Sequence, residues 1–409
     1  VANVKPGQDA KAVGARLDAL IAEFLKTGPT ADEVRRVVTK AAAATIGGYE
    51  SVGGFGGKAV ALAEGLVYSN DPAKYKKELK ELAALTPQKV AAAARKWMSR
   101  PVFNLTVEPG ERDTSPQMLA ITGDTPSTVA PPAPVAAVPV AKSPPRPAPP
   151  VGSLSELDFP TIERTTLSNG IPVFFVRRAS IPVVRMSVSF DAGFSSDPKT
   201  ALGTQALMLA VLDEGTKTRN SIQIAEESER LGASISTSAS IDRTSIGLYS
   251  LTPNLGASLG LVADVIRNPA FDPQEVERVR GQQLARIKAG LSSPDGIASY
   301  VLPTLIYGKT HPYGNPGTGA GEAASVRTIS RDSLMQFHQN WLRPDNAQIF
   351  VIGDTTLAAL KPQLEAALGD WKAPPTPKPV KAFTAAIPAA ANKIYLIDRP
   401  GSGQSVILA

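Results

Sequence analysis

The chain has no cysteine and only two histidines, His311 and His338. The first absence excludes disulfides, zinc–thiolate sites and thiol nucleophiles. The second leaves little for a metal site, because a catalytic zinc takes three nitrogen or oxygen ligands and keeps one position open. Apolar runs are short as well. No stretch of about 18 apolar residues occurs, so nothing reads as a membrane-spanning helix. The cations are scattered, with no block of five or more, and the net charge of +6 reads as solvated faces rather than a nucleic-acid surface. The sequence opens at Val1 without the basic, apolar and small-residue pattern of a leader, so it reads as a processed chain or a fragment. The missing cysteine and the Ala/Pro-rich spacer described below lead us to expect an exported or periplasmic protein.

What is present divides the 409 residues into four stretches. Residues 1–109 read as mostly helical. Val13, Leu17, Leu20, Ile21 and Phe24 share one helical face. Thr30-Ala-Asp-Glu33 is a capping box opening a helix that runs to about Ala44 and ends at Gly47-Gly48. A further helix is expected after Gly57, another from Thr86-Pro87, and a short strand over Val102–Val107. Residues 110–158 are a Pro/Ala-rich linker that favours polyproline II and cannot build a core. It is read as a spacer between folded bodies, with a proline-rich ligand for a partner as the other possibility. Residues 159–380 alternate strands and helices. Ser168-Asn169-Gly170 joins two strands in a hairpin, because Asn and Gly both tolerate positive φ. Ala201–Leu212 is an almost wholly apolar helix, and Ser221 is taken as the cap of the next one. Residues 381–409 read as the start of a truncated domain, with strands at Lys393–Asp398 and Gln404–Leu408.

Three patterns could carry chemistry. The two histidines are far apart, not four residues apart on one helix as a metal motif requires, and each reads as a turn or surface histidine. Gly256-Ala-Ser258-Leu-Gly260 matches the nucleophile-elbow pattern of serine hydrolases. An apolar stripe through Leu255, Leu259, Val262 and Ile266 nevertheless places Ser258 inside a regular helix, without the strained turn an elbow needs. The glycines from Gly47 to Gly57 before Lys58 lack the first Gly and the final Ser/Thr of a phosphate loop, and read as a turn between helices or a peptide-contacting loop.

A family resemblance rests on an ordered set of short matches. They are Leu167-Ser-Asn-Gly-Ile-Pro-Val173, Phe190-Asp-Ala-Gly193, Leu212-Asp-Glu-Gly-Thr216, Leu231-Gly-Ala-Ser-Ile-Ser-Thr237, Asn268-Pro-Ala-Phe271, His311-Pro-Tyr-Gly314 and Trp341-Leu-Arg-Pro-Asp-Asn346 leading into Val351-Ile-Gly-Asp354. Through these, residues 159–380 resemble the pitrilysin/insulinase family of inverted-zincin metallopeptidases, and residues 1–109 resemble the second half of a later domain of that family. The resemblance implies an α+β fold of the LuxS/processing-peptidase kind, a sandwich of a mostly antiparallel sheet with helices packed on one face. It also implies where the chemistry ought to be. The family carries H-x-x-E-H ahead of the Gly-Thr pair. Those positions are Ala206, Leu209 and Ala210 here, and Arg286 stands near the place of the family's distal glutamate. A cation there opposes a dication. The resemblance therefore implies a degenerate second unit with no catalytic, metal or cofactor residue of its own, inactive alone. Family members pair such units around a chamber, so zinc, the general base and the assisting Arg/Tyr pair are expected in a catalytic partner unit, on the same chain or a paired subunit, acting on peptide substrates. A non-proteolytic scaffold or assembly subunit of the same fold, and a serine hydrolase built on Ser258, are the alternatives.

Overall fold

The computed structural model describes residues 2–5, 7–107, 152, 159–381, 383–389, 393–400 and 405–408. Five helices come first: α1 (Ala10–Thr27), α2 (Ala31–Gly48), α3 (Lys58–Ser69), α4 (Lys74–Ala83) and α5 (Pro87–Met98). Strands β1 (Glu163–Thr166), β2 (Pro172–Arg177) and β3 (Val183–Phe190) follow, then α6 (Thr204–Val211) and α7 (Ser221–Leu231). Strands β4 (Ser234–Ala239) and β5 (Thr244–Leu251) lead to α8 (Leu255–Arg267), α9 (Pro273–Gly290), α10 (Pro294–Tyr307), α11 (Ala323–Thr328) and α12 (Arg331–Trp341). Strand β6 (Ala347–Gly353) and helix α13 (Leu357–Leu364) close the regular part. Contacts divide the chain into two compact units, residues 1–27 with 92–159, and residues 28–91 with 160–409.

In the first unit the end of α5 meets the end of α1, where the Arg95 guanidinium donates to the Leu25 carbonyl at 2.9 Å. A cation thus satisfies a carbonyl that a helix C-terminus leaves without an internal partner.

The second unit is built on one six-stranded sheet in the order β1-β2-β6-β3-β5-β4. The β2–β6 pair is parallel and every other pair antiparallel. This is the mixed, mostly antiparallel α+β architecture that the resemblance implies. Strand alternation sorts the side chains: Val173, Phe175, Met186, Val188, Ile246 and Ile349 point into the core. Helices α6, α8 and α12 supply the facing layer through Leu207, Met208, Leu259, Ile266 and Leu334, all under 2% exposed, so removal from water drives this packing. The other face is sparser, with Phe174 stacked on Phe350 at 5.1 Å. There the C-terminal turn of α2 touches the sheet: the Tyr249 hydroxyl donates to the Ala43 carbonyl at 2.9 Å, and Glu50 pairs with Arg185 at 2.9 Å. Gly47 lies inside α2 because a Cβ there would stand 2.6 Å from the Tyr249 hydroxyl. The helix ends at Gly48, at the Gly47-Gly48 pair expected to stop it. Farther along, Asp32 pairs with Arg230 and Arg36 with Glu229, tying α2 to α7.

Several local expectations are corrected. Val102–Val107 and the described parts of 393–408 form no strand and are exposed, because no neighbouring backbone pairs with them among the described residues. Asn220, not Ser221, caps α7, in a capping box with Gln223. In the β1–β2 hairpin only Gly170 takes positive φ (91°). Asn169 works instead through its side chain, donating to the Leu368 and Trp371 carbonyls at 2.8 and 3.0 Å. The linker at 110–158 lies outside the described residues, apart from Gly152.

Candidate functional site

Helix α6 carries the positions that matter. It starts at Gly203, whose φ of 100° suits glycine, and where a Cβ would meet the Ala320 carbonyl at 2.7 Å and the Val326 side chain at 2.8 Å. The first helical N–H groups need acceptors, and Asp197 provides them. Its two carboxyl oxygens accept from the Gly203 and Gln205 N–H groups, each at 2.7 Å. Asp197 is 7% exposed, and burial pushes its carboxyl up to about 7 against the pull of those two hydrogen bonds. Gln283 on α9 completes the anchoring by donating to the Gly203 and Ala320 carbonyls at 3.1 and 2.8 Å.

Helical geometry then dictates which side chains leave the core. Leu207, Met208 and Val211 are buried against the sheet and α12, while Ala206 and Ala210, four apart, share the half-buried face. That face lines a cavity of about 330 Å³. Ala206, Leu209, Ala210 and Arg286, the four positions that the resemblance assigns to the metal motif, all border it. Gln205, Phe194, residues 237–239 of β4 and the loop 318–320 complete the wall. Strand β4 is the last in the sheet, hydrogen-bonded to β5 on one side only among the described residues.

These side chains do not fit a zinc ion. Two methyl groups and an isobutyl group offer no lone pair, and the guanidinium of Arg286 is a fixed cation with donors only. Among the described residues no cluster of three or more His, Cys, Asp or Glu could hold a metal. Arg286 is exposed on α9 and forms no ion pair among the described residues, in contrast to Arg278 and Arg280 on the same helix. Gln205 is the wall residue that the sequence reading missed. It is fully buried, its Nε2 donates to the Thr244 hydroxyl at 2.6 Å, and its Oε1 is buried without a partner. The available signal was its position: a lone long polar side chain in a helix otherwise apolar from Leu207 to Leu212.

The histidines stay apart from this cavity wall. His311 caps a short turn, its Nδ1 accepting from the Tyr313 N–H at 3.1 Å, and it stacks on Tyr307 at 5.4 Å. His338 sits on α12 with Nε2 2.7 Å from the Ile266 carbonyl, and burial lowers its pKa. The turn expected at His311 is present, but neither ring is at the surface: both are buried, because each packs against aromatic neighbours. Ser258 lies within α8, accepting from the Ser250 hydroxyl and donating to the Asn254 carbonyl, both at 2.9 Å. No histidine contacts it, so nothing there would take its proton.

Residues 173–314 match the family model described as insulinase (peptidase family M16), and residues 328–409 match the one described as peptidase M16 inactive domain. A Bacillus subtilis (strain 168) protein described as an uncharacterized zinc protease, YmxG, is 24% identical over 52% of this chain and 51% of its own length. A Helicobacter pylori (strain 26695) protein described as a non-peptidase homolog of that name is 26% identical over 41% of this chain and 38% of its own length. Among solved structures, a peptidase M16 inactive domain from Pseudomonas fluorescens superposes with a TM-score of 0.50 at 27% identity, over 56% of this chain and 54% of that one. The chain thus spans about half the length, or less, of these relatives. No helix among the described residues is long and apolar enough to cross a membrane.

Proposed function

Given that the chain belongs to the insulinase-type M16 peptidase family, we propose that residues 159–380 form a non-catalytic chamber wall that contacts peptide substrates while a partner unit cuts them. One observation carries this reading. Ala206, Leu209, Ala210 and Arg286, the positions that the resemblance assigns to the family's metal site, border a single cavity, and none has a side chain that can hold a metal. The cavity borders β4, whose outer edge pairs with no strand among the described residues and can take an extended peptide. Zinc, with the water it activates and the base that takes the proton, belongs in this proposal to the partner unit. That unit is another part of the same chain or a paired subunit. In the proposed division residues 1–109 are the later half of a preceding domain, 110–158 a linker, 159–380 this peptidase-like domain and 381–409 the start of the next. An exported or periplasmic setting is part of the same reading.

The test is reconstitution. A zinc-loaded unit carrying H-x-x-E-H from this protein's own gene or operon is assayed on a quenched fluorogenic peptide, with and without this chain. The proposal expects no turnover by this chain alone and faster turnover by the combination. Unchanged turnover would remove the chamber-wall role. It would leave the second reading, a scaffold or assembly subunit, which the non-peptidase relative in Helicobacter pylori favours.

A further inference from the structure

The wall of the cavity beside α6 does not fit a metal ion, yet it carries polar groups that can bind another ligand. Two groups on the wall lack a partner among the described residues. Arg286 borders the cavity, is exposed, and has no carboxylate partner among the described residues. Gln205 borders it as well and holds a buried acceptor with no donor. The orientation of that amide is fixed by its neighbours. The Thr244 hydroxyl spends its single proton on the Ala192 carbonyl at 2.7 Å, so it can only accept from Gln205. The Nε2 must therefore face Thr244, and Oε1 is the atom left for something else. A buried acceptor without a donor is costly, and a ligand N–H that reached it would remove that cost.

We infer that this cavity is a recognition site for a peptide carboxylate, in which Arg286 binds the carboxylate and Gln205 Oε1 accepts a peptide N–H. The inference rests on the reading of this unit as a substrate-contacting wall, and names the chemistry that it selects. The two groups are complementary to one ligand and not to others. A guanidinium presents a planar fork that a carboxylate fits with two parallel hydrogen bonds. A bare anion would satisfy Arg286 but set a second acceptor against Gln205. A metal cation would be repelled by Arg286. A peptide carries both an anion and N–H donors, and residues 237–239 of β4, an edge strand among the described residues, line the same cavity and can hold its backbone. The fixed positive charge of Arg286 makes the cavity suited to an anion and unsuited to a dication. The carboxylate can be a chain terminus or an acidic side chain, which share this chemistry.

The experiment is fluorescence polarisation with the 409-residue chain and four hexapeptides of alternating Ala and Val that carry an uncharged fluorophore at the N-terminus. They end in Glu or Gln, and each has a free or an amidated C-terminus. The three peptides bearing a carboxylate are expected to bind about fivefold or more tighter than the Gln amide at low ionic strength, with the difference shrinking in salt. The free-acid Gln and amidated Glu peptides separate the terminal from the side-chain carboxylate. Arg286 is exposed, so Arg286→Ala is expected to fold and to lose the preference while keeping the affinity for the Gln amide. Arg286→Glu is expected to favour a peptide ending in Lys. Equal binding of all four peptides, or a preference that survives Arg286→Ala, would overturn the carboxylate assignment and leave the wall reading standing. No binding of any peptide would overturn both.

Discussion

Asp197 offers the sharpest physical test of how α6 is held. The perturbation is Asp197→Asn, which keeps the shape but not the charge. In the native chain the carboxyl is buried and lifted to about 7, from 3.8 when exposed. Between those pH values the folded state holds a proton that the unfolded state has released. Native stability therefore falls as pH rises through this window, by about 1.4 kcal/mol per pH unit and about 4 kcal/mol in all. The stabilisation is complete below about pH 4 and gone above about pH 7. Asparagine does not titrate, so the variant lacks this slope. It does set an amide N–H₂ against one of the two backbone N–H groups, a pH-independent cost of about 1–3 kcal/mol. The assay is urea denaturation of both proteins from pH 4.5 to 8, followed by far-ultraviolet circular dichroism. The variant should be the weaker protein at low pH and close the gap, or reverse it, by pH 8. A gap that stays constant would refute the buried, proton-retaining carboxyl. A gap that widens with pH would show that the helix N-terminus and its two hydrogen bonds stabilise the anion more than burial opposes it.

Four further outcomes are expected. Gly203→Ala should lower unfolding stability by at least about 2 kcal/mol, from the left-handed conformation and the contacts its Cβ would make, as read from the denaturant midpoint; a neutral result would show that the loop at 320 yields. Leu212→Ala, at a fully buried position, should cost about 2–5 kcal/mol by the same measurement, and a loss below about 1 kcal/mol would mean that the site collapses around the gap. His338 has its pKa lowered by burial, so it contributes stability above the ordinary imidazole pKa of 6.5 that is lost as pH falls below it; His338→Gln should flatten that acid-side loss in a thermal-melt series, and an unchanged slope would count against it. Dialysis against zinc followed by metal analysis should leave the chain with far less than stoichiometric metal, and a tightly held stoichiometric zinc would end the argument about α6.

The inability of Ala206, Leu209 and Ala210 to bind a metal could be read directly from the sequence, because their side chains carry no donor atoms. No arrangement of the backbone lets Ala206, Leu209 and Ala210 donate a lone pair. The strands and most helices of residues 160–369 were legible for a related reason. Their patterns have the period of the element, two for strands and near four for helices, and are enforced by burial on one face. Legibility failed where the deciding partner is distant in sequence. Val102–Val107 has the composition of a strand, but a strand exists only with a neighbour to bond. The histidines looked superficial because short flanking patterns do not reveal that Tyr307 or Phe271 will cover the ring.

Chemistry by elimination belongs to the sequence: without cysteine, and without His or carboxylate at the motif positions, no tertiary fold can recover those ligands. What the tertiary structure alone decided is convergence. Arg286 comes from α9, Gln205 from α6 and residues 237–239 from β4, and only packing of those elements brings them around one cavity. Only there, too, does the Thr244 proton turn away from Gln205 and leave its oxygen without a donor, because hydrogen-bond satisfaction is a property of neighbours in space and not of neighbours in the chain.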